Sequence, residues 1–233
     1  MELPPQVRVL ACRVFAHELA HLGLPEDSVT FLEQGLHRYP DELRRQVGAA
    51  LAAWEDDPAV ETVVLVYGFC GGGLEGLKSR RLNLALPLAH DCIPLLLGHM
   101  PRPRPGQGGS FYLSPGWVDH AKTPFTEYQE TARRWDEETA QWVGREMLKS
   151  YCEVVMIETD DLVQPHHRAY AQGMAGLFGL GLRGQAGDLS WLRRLLALRP
   201  GPGLLLLSPG QVLDLAAYPQ ADPLVQAGEA PCP

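Results

Sequence analysis

Residues 62–69 read TVVLVYGF, a run without a single charge and β-branched at Thr62, Val63, Val64 and Val66. A strand that is apolar on both alternating faces needs cover on both faces. A parallel sheet with helices packed on each side supplies it. The same kind of run recurs as VRVLAC (7–12), LNLALPLA (82–89), CEVVMIETD (152–160) and GLLLL (203–207), with weaker strands at VTFLEQ (29–34) and GSFYL (109–113). Helical patterns separate them. PDELRRQVGAALAAWED (40–56) has Pro and acids at its start and apolar Leu43, Val47, Leu51 and Trp54 at helical spacing. Further helices are expected at 13–22, 93–98, 124–149 (one long amphipathic helix), 165–176 and 188–198, with a Gly-rich segment at 176–187. Such alternation predicts an α/β fold: a mainly parallel, doubly wound sheet with helices on both faces.

The domain reading is one α/β domain over 1–217. Ser114-Pro115-Gly116 and Ser208-Pro209-Gly210 each follow an apolar strand, and strands 62–69 and 152–158 look alike. This echo suggests two related halves, 1–108 and 109–217, around a cleft. MPRPRPGQGG (100–109) reads as a loop and 218–233 as a flexible Pro/Ala-rich tail.

Composition excludes several roles. The formal net charge is −8 and the basic pairs are scattered, so no nucleic-acid partner is expected. No apolar run reaches the roughly 18–20 residues of a bilayer span, and no secretory leader is visible, so a cytoplasmic location is expected. Five cysteines in a reducing compartment point to metal binding or catalysis ahead of disulfides.

Two metal readings compete. The first is His17-Glu18-Leu19-Ala20-His21, the HExxH pattern in which two imidazoles share a helix face and the Glu serves as general base of a zinc hydrolase. Yet the motif follows the first strand directly, with no room for the preceding sheet and helix of that architecture, and no third ligand stands at a familiar spacing. His17 and His21 on a partly solvated helix face explain the match as well.

The second reading is built from strand ends. Cys12 ends the first strand and Cys70 follows TVVLVYGF, while His90-Asp91-Cys92 follows LNLALPLA. Parallel strands present their C-terminal ends at one edge, where open α/β sheets place ligands. Three thiols and an imidazole are a soft donor set that suits zinc or an iron–sulfur cluster. A single free cysteine is often only a small buried hydrophobe. Three of them at three strand ends, with a histidine, favour a shared site. Gly71, Gly72 and Gly73 after Cys70 offer amides that would cradle an anion and, with a helix start, lower the Cys70 thiol pKa. Cys152 begins a strand and is expected to be structural, and Cys232 lies in the tail. Glu158 and Asp160 end a strand and serve either to hydrogen-bond and orient a metal ligand or as general base, or as helix-capping acids. His166 and His167 are expected on a helix surface.

These motifs together resemble one family. Ala11-Cys12, Tyr67-Gly68-Phe69-Cys70-Gly71, His90-Asp91-Cys92, GSFYL (109–113) and Thr159-Asp160-Asp161 stand in the order and spacing of the domain of unknown function 1638 family. The resemblance implies Cys12, Cys70, His90 and Cys92 as the site, with Asp160 as a weaker addition. It also matches Glu18 but makes no demand on His17 or His21. It further implies association with corrinoid-dependent methyltransferase systems, hence a one-carbon context with a corrinoid protein or methyltransferase as partner. Three roles remain: a metalloenzyme or metal carrier centred on the cysteines, an HExxH hydrolase, or a non-catalytic accessory protein whose cysteines are structural.

Overall fold

The computed structural model describes residues 3–101, 108–214 and 216. Most of the loop expected at 100–109, and all of the tail at 218–233 with Cys232, lie outside the described residues. The fold is α/β, and the described chain divides into two compact units. The first takes residues up to 100 together with 188–216, and the second takes 108–187. The last segment returns to the first unit.

The first unit holds a five-stranded sheet of β1 (Val7–Cys12), β2 (Val29–Leu32), β3 (Thr62–Val66), β4 (Asn83–Pro87) and β8 (Leu204–Leu207), in the order β2-β1-β3-β4-β8. The first four run parallel, with Val9 opposite Val29 and Val64, and Val64 opposite Ala85. Only β8 runs antiparallel, on the edge beside β4. The central β1 and β3 are buried almost throughout, as their unbroken apolar runs require.

Helix α2 (Pro40–Glu55) starts with Pro40 and carries Asp41 and Glu42 in its first turn, both suited to a helix N-terminus. It buries Leu43, Val47 and Leu51 against Leu10, Leu65 and Leu84 of the sheet. Each such buried side chain contributes roughly 1.5–3 kcal/mol. Its C-terminal carbonyls are gathered by one side chain. The Arg81 guanidinium donates to the carbonyls of Trp54 (2.8 Å) and Glu55 (3.0 Å) at the helix end and of Asp57 (2.6 Å) and Val60 (2.6 Å) just beyond it, adding to the few backbone partners there. Three short helices also belong to this unit: α1 (Ala16–His21), α3 (Ile93–Leu97) and α8 (Ser190–Leu196).

The second unit is a three-stranded parallel sheet of β5 (Gly109–Leu113), β6 (Tyr151–Glu158) and β7 (Gly181–Ala186), in the order β5-β6-β7. Its helices are α4 (Pro115–His120), α5 (Pro124–Arg134), α6 (Glu137–Leu148) and α7 (Pro165–Phe178). The single helix expected over 124–149 is two. The Asp136 side chain accepts from the Thr139 amide at 2.7 Å and caps a new N-terminus, so the chain breaks at Trp135-Asp136. The Gly-rich segment at 176–187 contains the edge strand β7.

The two Ser-Pro-Gly sequences are not equivalent. Ser114 caps α4 after a parallel strand, whereas Ser208 opens a turn after antiparallel β8. They do not mark a repeat. Among the described residues, no helix is long and apolar enough to cross a membrane.

Candidate functional site

In the first unit the parallel register sets the site. Ala11 pairs with Val66, so the next positions along β1 and β3, Cys12 and Tyr67, emerge side by side at the C-terminal edge. The chain beyond β3 then joins the chain beyond β4. Phe69 donates its amide to the Ala89 carbonyl at 2.7 Å, and Cys70 to the His90 carbonyl at 2.9 Å. The two segments pass so closely that a Cβ at Gly68 would stand 2.4 Å from the Asp91 Cα, which only glycine permits. Cys70 itself adopts a left-handed backbone, φ +48°, followed by Gly71 at +65° and Gly72 at +93°. For a residue with a Cβ that conformation costs roughly 1–2 kcal/mol. Strain of this kind persists where the surroundings impose it, and it clusters at functional sites.

Cys12 and Cys70 thus follow neighbouring parallel strands at one edge of the sheet. Both are free thiols, as is Cys92, whereas Cys152 on β6 is disulfide-bonded. Cys12, Leu32, Leu36, Phe69 and Cys70 are half-buried against the core cluster to which the buried Tyr67 belongs. Tyr67 is 2% exposed, and its hydroxyl makes no well-formed hydrogen bond, the Leu32 backbone being the polar group that acts on it.

The electrostatics reverse one expectation. Burial pushes the Cys12 thiol up to about 11, with the Glu33 carboxylate adding to it. Burial also pushes Cys70 well above the ordinary thiol range, reinforced by Cys12 and Asp91. Tyr67 is raised in the same way by burial, then by Cys12 and Cys70. The lowering expected for Cys70 from a helix start does not occur. Cys70–Gly72 is a single 3-10 turn, too short to carry a helix dipole, and Gly71 breaks even that geometry. Nor do the glycines form an anion cradle. The Gly72 and Gly73 amides donate to the carbonyls of Phe69 and Cys70, closing the turn, and a Cβ at Gly73 would meet Leu43 at 2.6 Å. Their surroundings are acidic besides.

The rest of the proposed ligand set is placed less tightly. His90 is half-buried and Cys92 is buried just before α3. Among the described residues, no three of Cys12, Cys70, His90 and Cys92 bring donor atoms within 4.8 Å of one another. The structure adds a histidine that strand-end reasoning passed over. His37 stands on a 3-10 turn (Gln34–Arg38) following β2, with Nδ1 2.7 Å from the Gln34 carbonyl. Burial draws His37 below the usual imidazole range, and the Asp91 carboxylate acts against that shift. The signal that would have found it is β2 itself, a fourth parallel strand ending at the same edge.

Helix α1 carries the HExxH residues. His17 is half-buried and His21 exposed, while Glu18 is completely buried and neither carboxylate oxygen has a hydrogen-bond partner. Burial raises Glu18 to about 8, so its carboxyl holds a proton at neutral pH.

Glu158 and Asp160 belong to the second unit. Glu158 at the end of β6 forms an ion pair with Arg168. Asp160 is exposed and left-handed, φ +40°. Thr159 beside it is 2% exposed, with a hydroxyl that has no partner. His166 and His167 were expected on a helix surface, and only His166 is there. His167 is 1% exposed. Its Nδ1 accepts from the Gln164 amide at 2.9 Å, so a neutral ring carries its proton on Nε2 and donates it to Asp119 Oδ2 at 3.1 Å. His166 Nε2 meets the other oxygen of Asp119 at 3.2 Å. One carboxylate on α4 thus orients two imidazoles on α7, across a sequence separation that gives no local signal.

Comparison with known proteins comes down to one match. The family model described as a protein of unknown function (DUF1638) matches residues 31–196, and the chain belongs to that family. No curated protein and no solved structure matches.

Proposed function

We propose that this DUF1638 protein holds a thiolate-ligated metal ion at the C-terminal edge of its first sheet, with Cys12 and Cys70 as sulfur ligands and His90 or Cys92 as further donors. One observation carries the reading. Two half-buried free thiols and a buried tyrosine follow neighbouring parallel strands at one sheet edge, and burial raises the pKa of all three, with smaller contributions from Glu33, Asp91 and one another. Without a cation these groups stay protonated and neutral. A soft divalent cation offsets the burial cost of the charged form and draws the thiols into the thiolate form.

Zinc suits two sulfurs and a nitrogen with one open position, and an iron–sulfur cluster suits three sulfurs. Zinc is the preferred occupant. Bound there, it would supply a Lewis acid that lowers the pKa of an incoming thiol or similar nucleophile. The family's association with corrinoid systems, implied by the motif resemblance, makes methyl transfer in one-carbon metabolism the proposed context. The partner would then be a corrinoid protein or methyltransferase.

The HExxH hydrolase reading lacks comparable support. A hydrolytic general base must meet a water molecule, and Glu18 is sealed from solvent. Metal analysis and the visible spectrum of anaerobically purified protein separate the alternatives. Colourless protein with about one zinc per chain is the expected result. Brown protein with iron and sulfide would replace zinc by a cluster. Metal-free protein that stays metal-free after anaerobic zinc loading would overturn the metal centre and leave the accessory role.

A further inference from the structure

We propose that the free edge of β8 is where a second copy of this chain adds, β8 against β8 in antiparallel pairing about a twofold axis, so that two five-stranded sheets become one. The inference stands apart from the metal centre.

The direction of the backbone groups comes first. The Leu88 amide donates to the Gly203 carbonyl at 2.8 Å, which makes Leu88 and Gly203 a hydrogen-bonded pair of the antiparallel ladder. Such pairs alternate along a ladder, so Leu205 and Leu207 bond to Leu86 and Leu84 of β4. Leu204 and Leu206 fall between them, and their N–H and C=O groups point away from β4. This suits Pro87 opposite Leu204, because proline has no N–H to give. The Leu204 amide is taken up by the Gly201 carbonyl at 3.2 Å. Leu206 keeps both of its groups on the open side, and its side chain is 48% exposed.

The edge also lacks what keeps strands apart. Exposed edges normally carry charges, bulges or other breaks against pairing. Among the described residues, the other three sheet edges do. β2 lies between Glu26-Asp27 and the exposed Glu33, β5 shifts register at Gly109/Ser110, and β7 carries Arg183. β8 has no such guard, since no charged residue stands between Arg199 and Asp214.

That neutrality selects the occupant. The formal net charge is −8, so two copies repel over most of their surface. Along 200–213 they meet without any charge, leucine against leucine. The backbone is self-complementary too. A hydrogen-bonded pair of Leu206 with its twofold mate uses both N–H and both C=O groups left open, and sets the two Leu206 side chains next to each other on one face of the joined sheet.

The test is the mass of the full-length protein in solution, by light scattering over a range of concentrations, with amide hydrogen exchange on the same samples. Wild type should be a reversible dimer, and protection of its Leu206 amide should rise with the dimer fraction. Leu206→Lys sets two like charges against each other across the axis, and Leu206→Pro removes the open N–H without touching a bond to β4, so both should be monomers. Their Leu205 and Leu207 amides should stay protected, as pairing with β4 requires. Val212→Lys, at another exposed apolar side chain of this unit, should dimerise like wild type. A wild type that is monomeric at every concentration overturns the proposal, and so does a wild-type dimer whose Leu206 amide exchanges as freely as in the monomer. Leu206 variants that dimerise like wild type, or loss of the dimer in Val212→Lys alone, overturn it as well.

Discussion

At the end of β3 a left-handed Cys70 (φ +48°) follows a buried Tyr67 whose hydroxyl makes no well-formed hydrogen bond. At the end of β6 a left-handed Asp160 (φ +40°) follows a buried Thr159 whose hydroxyl makes none either. Both features lie just past the C-terminal end of a parallel strand, where open α/β sheets bind ligands. The donors differ. The β3 end gathers sulfur, with Glu33 and Asp91 adding negative charge. In the second unit the carboxylate Asp119 meets two imidazoles, and the proton on buried His167 already holds it. Backbone strain and a poorly bonded hydroxyl therefore mark a site without saying what it takes. The donor chemistry says that, and it points to a soft cation only in the first unit.

The largest expected effect separates rigid from yielding neighbours. Gly68→Ala places a Cβ 2.4 Å from the Asp91 backbone, which cannot move without parting the segments that follow β3 and β4. A loss of about 2–4 kcal/mol in denaturant unfolding is expected, together with loss of the metal. Gly184→Ala in the second unit meets the carboxyl end of Glu158 at 3.0 Å, and that side chain can swing aside. Its cost should stay under about 1 kcal/mol. Equal costs would break the comparison.

Next in size is a pH effect confined to the first unit. Glu18 ionises near its usual 4.5 when unfolded and at about 8 when folded. Between these values the folded state binds more protons than the unfolded state, so this group makes stability fall as pH rises through that window. Glu18→Gln removes the term. The variant is expected to gain on wild type progressively from about pH 5 to pH 8, by a few kcal/mol at most, in parallel denaturation curves. A gap between variant and wild type that does not widen with pH would show that Glu18 finds a partner.

The smallest effect sharpens the comparison most. Cys70→Gly and Asp160→Gly each relieve a left-handed residue, and each should stabilise the fold by roughly 1 kcal/mol in thermal unfolding before any metal is added. Only Cys70→Gly should then fail to bind metal. Loss of metal in Asp160→Gly would make the two strand ends one functional system.

Much of this was readable from the chain. The apolar runs at 7–12, 62–66 and 83–87, with Arg8 their one charge, read as buried strands, and parallel pairing brings their ends to one edge, beyond which Cys12 and Cys70 follow neighbouring strands. Pairing direction is not written in a short apolar run, so antiparallel β8 and its return to the first unit were not legible. Exposed edge strand β7 lacks the apolar signal, and the break at Trp135-Asp136 rests on one cap inside an otherwise continuous helical pattern. The sign of the Cys70 shift depends on whether CGGG opens a helix or merely turns, which burial and backbone angles decide. The Asp119–His167 hydrogen bond spans 48 residues, and no local pattern encodes it.

The most direct test is metal retention across four proteins purified anaerobically: wild type, Cys12→Ser, Cys70→Ser and His21→Ala. Zinc should remain at about one per chain in wild type and His21→Ala, and should fall close to zero in both serine variants. Serine variants that fold and keep their zinc would contradict a centre built on Cys12 and Cys70.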